Sequence, residues 1–177
     1  MVSLKMNKNS LRNIATEVID LKINSLKILK KSINKNFDKA VNSIVDCQSK
    51  IILCGVGKSG LIASKIASTF SSVGSPAFSL SANDCLHGDL GSITKKDVLI
   101  LISNSGKSEE IVPIIKFANR NKIKLIGIVS KKKSFLYKAS DIKILLPEVK
   151  ESGLGVVPTS STSIQLAIGD ALAVAAL

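Results

Sequence analysis

Four apolar runs, at residues 51–54, 98–102, 125–129 and 142–146, interrupted only by Gly127 and Lys143, recur between stretches of helical periodicity. A run that is apolar at every position, instead of at every second one, marks a strand buried on both faces. A weaker run at 77–80 adds a fifth strand. Helical patterns are expected at 61–73, 109–121 and from 159 to the end, with a shorter one at 134–140. Buried strands alternating with helices predict an α/β fold, with a parallel sheet covered on both faces. Before the first strand, Leu11, Ile14, Val18, Leu21 and Ile28 form one stripe of a helix over 10–33. A second helix over 37–46 completes an N-terminal hairpin. The expected organisation is residues 1–48 as N-terminal helices packing on one α/β domain at 49–177.

At 177 residues, 45% of them apolar, the chain is long enough for one sizeable core. Its net charge of +12 raises the question of nucleic acid. The lysines are spread along the whole chain, and the densest run is only Lys131-Lys132-Lys133. Aromatic residues are 3% of the total, too few for base-stacking platforms. No nucleic-acid partner is expected, but the positive field favours an anionic substrate. Cys47, Cys54 and Cys85 are odd in number and widely spaced, which argues for free thiols in a reducing cytoplasm. No stretch of about 18 apolar residues exists to span a membrane, and no signal peptide is recognised at the N-terminus.

The chemistry concentrates in loops that follow strands. Gly55-Val56-Gly57-Lys58-Ser59-Gly60 follows the first, Ser103-Asn104-Ser105-Gly106-Lys107-Ser108 the third, and Thr159-Ser160-Ser161-Thr162-Ser163 opens the last helix. Backbone amides at helix starts, hydroxyls and a lysine are the groups that bind a phosphate. In a parallel sheet such loops share the carboxyl edge, so they are expected to build one composite site. The first loop also satisfies the dinucleotide pattern G-x-G-x-x-G, but Lys58 inside it and the serine-rich loops favour a phosphorylated small molecule. Serines at helix starts also serve as plain caps, and Glu109 and Glu110 suit the first turn of a helix. His87, the only histidine, lies in Asp84-Cys85-Leu86-His87-Gly88-Asp89 on the same edge. Glu151 sits between the fifth strand and the last helix and adds a carboxylate. No metal-ligand spacing is present, so neither metal nor cofactor is expected.

These motifs resemble the sugar isomerase (SIS) domain family, and within it the arabinose 5-phosphate isomerases. The resemblance runs from about residue 51 to 177. It is carried by Gly-Val-Gly-Lys-Ser-Gly at 55–60, His-Gly-Asp-Leu-Gly at 87–91, Ser-Asn-Ser-Gly at 103–106, Pro-Thr-Ser-Ser-Thr at 158–162 and Gly-Asp-Ala-Leu-Ala at 169–173. It implies a three-layer α/β/α sandwich with a five-stranded parallel sheet. The implied activity is interconversion of D-ribulose 5-phosphate and D-arabinose 5-phosphate, on the way to the lipopolysaccharide sugar Kdo. The implied catalytic residues are Lys58, His87, Glu110 and Glu151. The substrate-binding set is Gly57, Ser59, Ser103, Asn104, Ser105, Ser108, Thr159, Ser160 and Ser161. The resemblance also implies a homotetramer, a dimer of dimers in which His87 reaches a neighbour's site.

Lys107 stands where the family usually has glutamate. The family also continues past residue 177 into a segment with a further histidine, and often into paired CBS domains. The alternative expectation is therefore a non-catalytic or incomplete module that binds a sugar phosphate.

Isomerisation through an enediol needs a base for the carbon acid and groups that stabilise an oxyanion. Glu151 or Glu110 is expected to be that base, its pKa lifted by partial burial. Lys58 is expected to stabilise negative charge, and His87 to shuttle a proton.

Overall fold

The computed structural model describes residues 8–153, 155 and 157–177. The first seven residues of the N-terminal segment lie outside the described residues. Helices α1 (Lys8–Ser32) and α2 (Lys35–Val45) form the hairpin, and the Asn34 side chain caps α2 by accepting the Asn36 N–H. Then come β1 (Ile51–Gly55), α3 (Lys58–Ser72), β2 (Ala77–Ser81) and the single turn α4 (Ala82–Cys85). A 3-10 turn (Asp89–Ser92) leads to β3 (Val98–Ser103) and α5 (Ile111–Arg120). The chain ends with β4 (Lys124–Val129), α6 (Phe135–Ala139), β5 (Ile142–Leu145) and α7 (Ser160–Ala175).

All five strands are parallel, in the order β2-β1-β3-β4-β5. The two-residue repeat of a strand divides each apolar run between two cores. Ile51, Leu53, Ile100, Ile102, Ile126 and Ile128 point to one face, against α3 and α7. Ile52, Cys54, Leu99, Leu101, Leu125 and Val129 point to the other, against α5 and α6. The result is the expected three-layer sandwich.

The N-terminal stripe behaves differently from expectation. Leu11, Ile14 and Ile28 remain exposed. The face that turns inward runs through Val18, Lys22, Ser25 and Leu29, and only Ser25 and Leu29 are buried. Their four-residue spacing places them on one side of α1, where it meets α7. The small Ser25 spends its hydroxyl on the Leu21 carbonyl, 2.7 Å away. Of the expected stripe, Val18 and Leu21 are half-buried, while Leu11, Ile14 and Ile28 stay exposed.

The order of strands positions the site. From β1 the chain moves to β2 on one side, then returns to β3 on the other, so the loops after β1 and β3 diverge. That divergence opens a crevice at the carboxyl edge. The turn out of β1 is tight because Gly55 has no side chain. A Cβ there would lie 2.8 Å from the Ser59 carbonyl and 2.9 Å from the Ile102 oxygen. Both obstacles are backbone, and neither can rotate away. Gly55→Ala is therefore expected to cost about 1–3 kcal/mol by overpacking. A urea titration should show the midpoint fall with an unchanged slope; an unchanged midpoint would mean that α3 can shift without cost.

Candidate active site

A cleft of about 410 Å³ opens at this crevice. The β1–α3 turn contributes Val56, Lys58 and Ser59, the loop after β3 contributes Asn104, and Glu151, Pro158, Ser161, Thr162 and Gln165 close it from the β5–α7 side. Lys58 is the first residue of α3, exposed, and without an ion-pair partner among the described residues. The Ser59 hydroxyl donates to Oε1 of Gln165 at 3.2 Å. Asn104 is fixed through its Oδ1, which accepts the Ser130 hydroxyl at 2.7 Å. That bond leaves the Asn104 amide nitrogen as its free donor.

Glu151 is the most constrained group in the cleft. Its Oε2 accepts the Thr159 and Ser160 amides, both at 2.7 Å, and the Thr159 hydroxyl at 3.1 Å. The Ser161 amide is shared between both oxygens at 3.3 Å. The carboxylate thus occupies the N-terminus of α7, where unpaired amides and the helix dipole favour a negative charge. Burial alone pushes its pKa up, but the Ser161 hydroxyl and the three amides outweigh that and hold it below the ordinary 4.5. The expectation of a lifted pKa is therefore corrected. The physical reason is that the chain folds back within ten residues and places a helix start on the acid.

The structure gathers only part of the expected set into one cleft: Lys58, Ser59, Asn104, Glu151 and Ser161. Gly57 is the cap residue of α3, and its carbonyl accepts the Gly60 and Leu61 amides. Ser103 is buried under its own loop, and its hydroxyl accepts the Gly106 amide at 3.0 Å. Ser105 turns to the far side of that loop, into a second groove. Ser108 is half-buried, and its carbonyl accepts the Ile111 amide. Thr159 caps α7, and Ser160 is fully buried, with its hydroxyl unpartnered among the described residues.

Glu110 is half-buried at the cap position of α5, one residue short of the helix that was expected to include it. His87 is exposed between α4 and the 3-10 turn, anchored through its amide to the Asp84 carbonyl at 2.9 Å. Neither Glu110 nor His87 lines the cleft. No group of three or more metal-ligating side chains occurs among the described residues.

Gln165 was not anticipated from sequence. It is 1% exposed and the only buried glutamine among the described residues, yet it reaches the cleft. Its signal was available: it follows Ser161 by four residues on α7, so both share one face.

A doubly wound sheet with a lysine, hydroxyls and a side-chain amide converging on a cleft at its switch point defines an α/β sandwich domain with one composite site. The SIS domain profile matches residues 44–175, and the chain belongs to that family. Arabinose 5-phosphate isomerase KdsD of Francisella tularensis is 43% identical over 178 residues, covering 98% of this chain and 54% of that protein. The uncharacterized protein RP505 of Rickettsia prowazekii is 40% identical over 167 residues, covering 94% and 52%. The chain thus spans about half the length of these relatives. Among solved structures, E. coli CFT073 c3406 in complex with arabinose 5-phosphate superposes with a TM-score of 0.92 at 34% identity, over 97% of this chain and 92% of that one.

Glu151 generates a pH prediction. Its folded pKa lies below the unfolded value, so its contribution to stability is fully present above about pH 4.5 and is lost as pH falls through the lower folded value. Glu151→Gln should remove that component of acid unfolding. Chemical denaturation of both proteins between neutral and acid pH would show their stabilities converging as pH drops. A constant difference at all pH values would refute the cap.

Proposed function

We propose that this chain is the isomerase domain of an arabinose 5-phosphate isomerase. It interconverts D-ribulose 5-phosphate and D-arabinose 5-phosphate through an enediol. The observation that carries this reading is the cleft: Lys58, Ser59, Asn104 and Ser161 converge at the switch point, in a chain 43% identical to a protein named for that reaction. The hydroxyls and amide donors hold the phosphate and sugar oxygens. Lys58, unpaired by any carboxylate among the described residues, stabilises the negative charge of the enediolate.

Of the two candidate bases, Glu110 is the better assignment. Glu151 is committed to α7, and its depressed pKa makes it a weak proton acceptor. Glu110 makes no capping bond with its side chain, so its carboxylate is not committed to its own helix. Glu151 then acts as a positioning residue that holds Thr159, Ser160 and Ser161 in place.

His87 is assigned proton transfer at the sugar oxygens. Because it lies outside its own cleft, we place it at the cleft of a neighbouring copy. The exposed apolar residues of α1 support association of copies, and the arrangement we propose is a dimer of dimers. No helix among the described residues is long and apolar enough to cross a membrane, and the enzyme is assigned to the cytoplasm.

The test is formation of arabinose 5-phosphate from ribulose 5-phosphate by the 177-residue chain. Turnover is expected, and Glu110→Gln should lower kcat by about 10²–10⁴-fold, the usual weight of a general base. Glu151→Gln should show its effect in stability and KM. Wild-type turnover in Glu110→Gln would remove the base assignment. A rise in melting temperature with the sugar phosphate but no turnover would identify a binding module instead.

A further inference from the structure

The loop after β3 has two sides, and only one belongs to the cleft. On the other side lies a groove of about 470 Å³, lined by Ser105, Lys107, Lys131, Lys132, Lys133 and Glu148 with Ser134 at its base. Its walls are the loops after β3, β4 and β5, so it shares the carboxyl edge where parallel sheets bind ligands. Its size falls in the range of small-molecule sites, roughly 300–1,000 Å³.

Four lysines face one glutamate there. Lys131 pairs with Glu148 at 2.6 Å. Lys107, Lys132 and Lys133 have no ion-pair partner among the described residues. Clustering like charges in one groove focuses a positive potential there, which attracts anions. Hydrogen-bond capacity is also left over. The Ser105 oxygen accepts the Lys107 amide at 3.3 Å, which leaves its proton to donate.

The walls are also fixed in place. Gly106, at φ +62°, brings the loop so close to Ser134 and Val129 that a Cβ would overlap both side chains. Ser134 itself is fully buried and accepts the Tyr137 amide.

We propose that this groove is a second anion site, separate from the cleft, for a small molecule with two or more phosphate groups. A single phosphate would leave lysines unsatisfied, whereas a di- or triphosphate can span Lys107 on one wall and Lys132 and Lys133 on the other. The site is independent of the isomerase reading, because it is argued from charge and geometry outside the cleft.

Calorimetric titration of inorganic pyrophosphate into the whole chain at low salt tests it. One site that does not depend on Lys58 is expected, apart from any binding in the cleft. The exposed triple variant Lys107→Ala/Lys132→Ala/Lys133→Ala should weaken binding by at least about tenfold, and the single reversal Lys132→Glu should weaken it with the melting temperature unchanged. Lys58→Ala should leave the affinity within about twofold. Binding that survives the triple variant, or that is lost in Lys58→Ala, would overturn the proposal, the latter by placing the anion in the cleft. Tighter, lysine-dependent binding of a short DNA duplex would overturn it in favour of a nucleic-acid surface.

Discussion

Burial of both faces of the parallel sheet is the constraint on which everything else depends. Ile52, Leu53, Leu99, Leu101, Ile102 and Leu125 have no exposed surface, or almost none. No polar group can be accommodated along those strands without an unpaired donor or acceptor in an apolar layer. The chemistry must therefore leave the strands at their ends. The reversal of strand order at β1 decides which end loops diverge enough to admit a ligand. Gly55 then sets how close α3 can start, which places Lys58 and Ser59 at the mouth of the crevice.

The cleft contains an anion of its own. Glu151 sits on the α7 amides in the manner expected of a substrate phosphate, at 2.7 Å from Thr159 N and Ser160 N. A phosphate cannot share those donors with an ionised carboxylate, since two like charges in one site repel. For the proposed phosphosugar substrate, the arrangement therefore favours the loop after β3 and the start of α3 as the phosphate-binding side, and α7 as a wall that Glu151 keeps rigid. The unpartnered, buried Ser160 hydroxyl lies beside that capped turn, within the same helix start.

The strands and most helices were legible because continuous apolar runs and three-to-four-residue spacing survive without tertiary information. What was not legible depended on contacts distant in sequence. The segment after β2 reads as polar loop, yet Ser81 caps a turn of helix by accepting the Asp84 amide. Glu151 reads as a loop acid awaiting burial. Only the return of residues 159–161 onto it turns the shift downward. The α1 stripe reads as a core face, but only Val18 and Leu21 of it are half-buried, and the closest packing falls to Ser25 and Leu29. The loops were correctly placed on one edge, while the two-sidedness of the Ser103–Ser108 turn, which sends Asn104 and Ser105 to different grooves, came from the Gly106 turn.

The division of charge in the cleft follows from the same geometry. Lys58 and Glu151 line one cleft but form no ion pair. Glu151 has its charge offset by the amide donors and dipole of α7, so it has little left to offer an ammonium. Lys58 in turn starts α3, where the dipole of its own helix disfavours a cation. Its charge is therefore held at an unfavourable end with no carboxylate among the described residues to neutralise it. In the proposed reaction, a phosphate or enediolate between them would meet an uncompensated lysine on one side and a satisfied carboxylate on the other. The uncompensated Lys58 thus favours an anion on its side of the cleft, where the proposed substrate would bind.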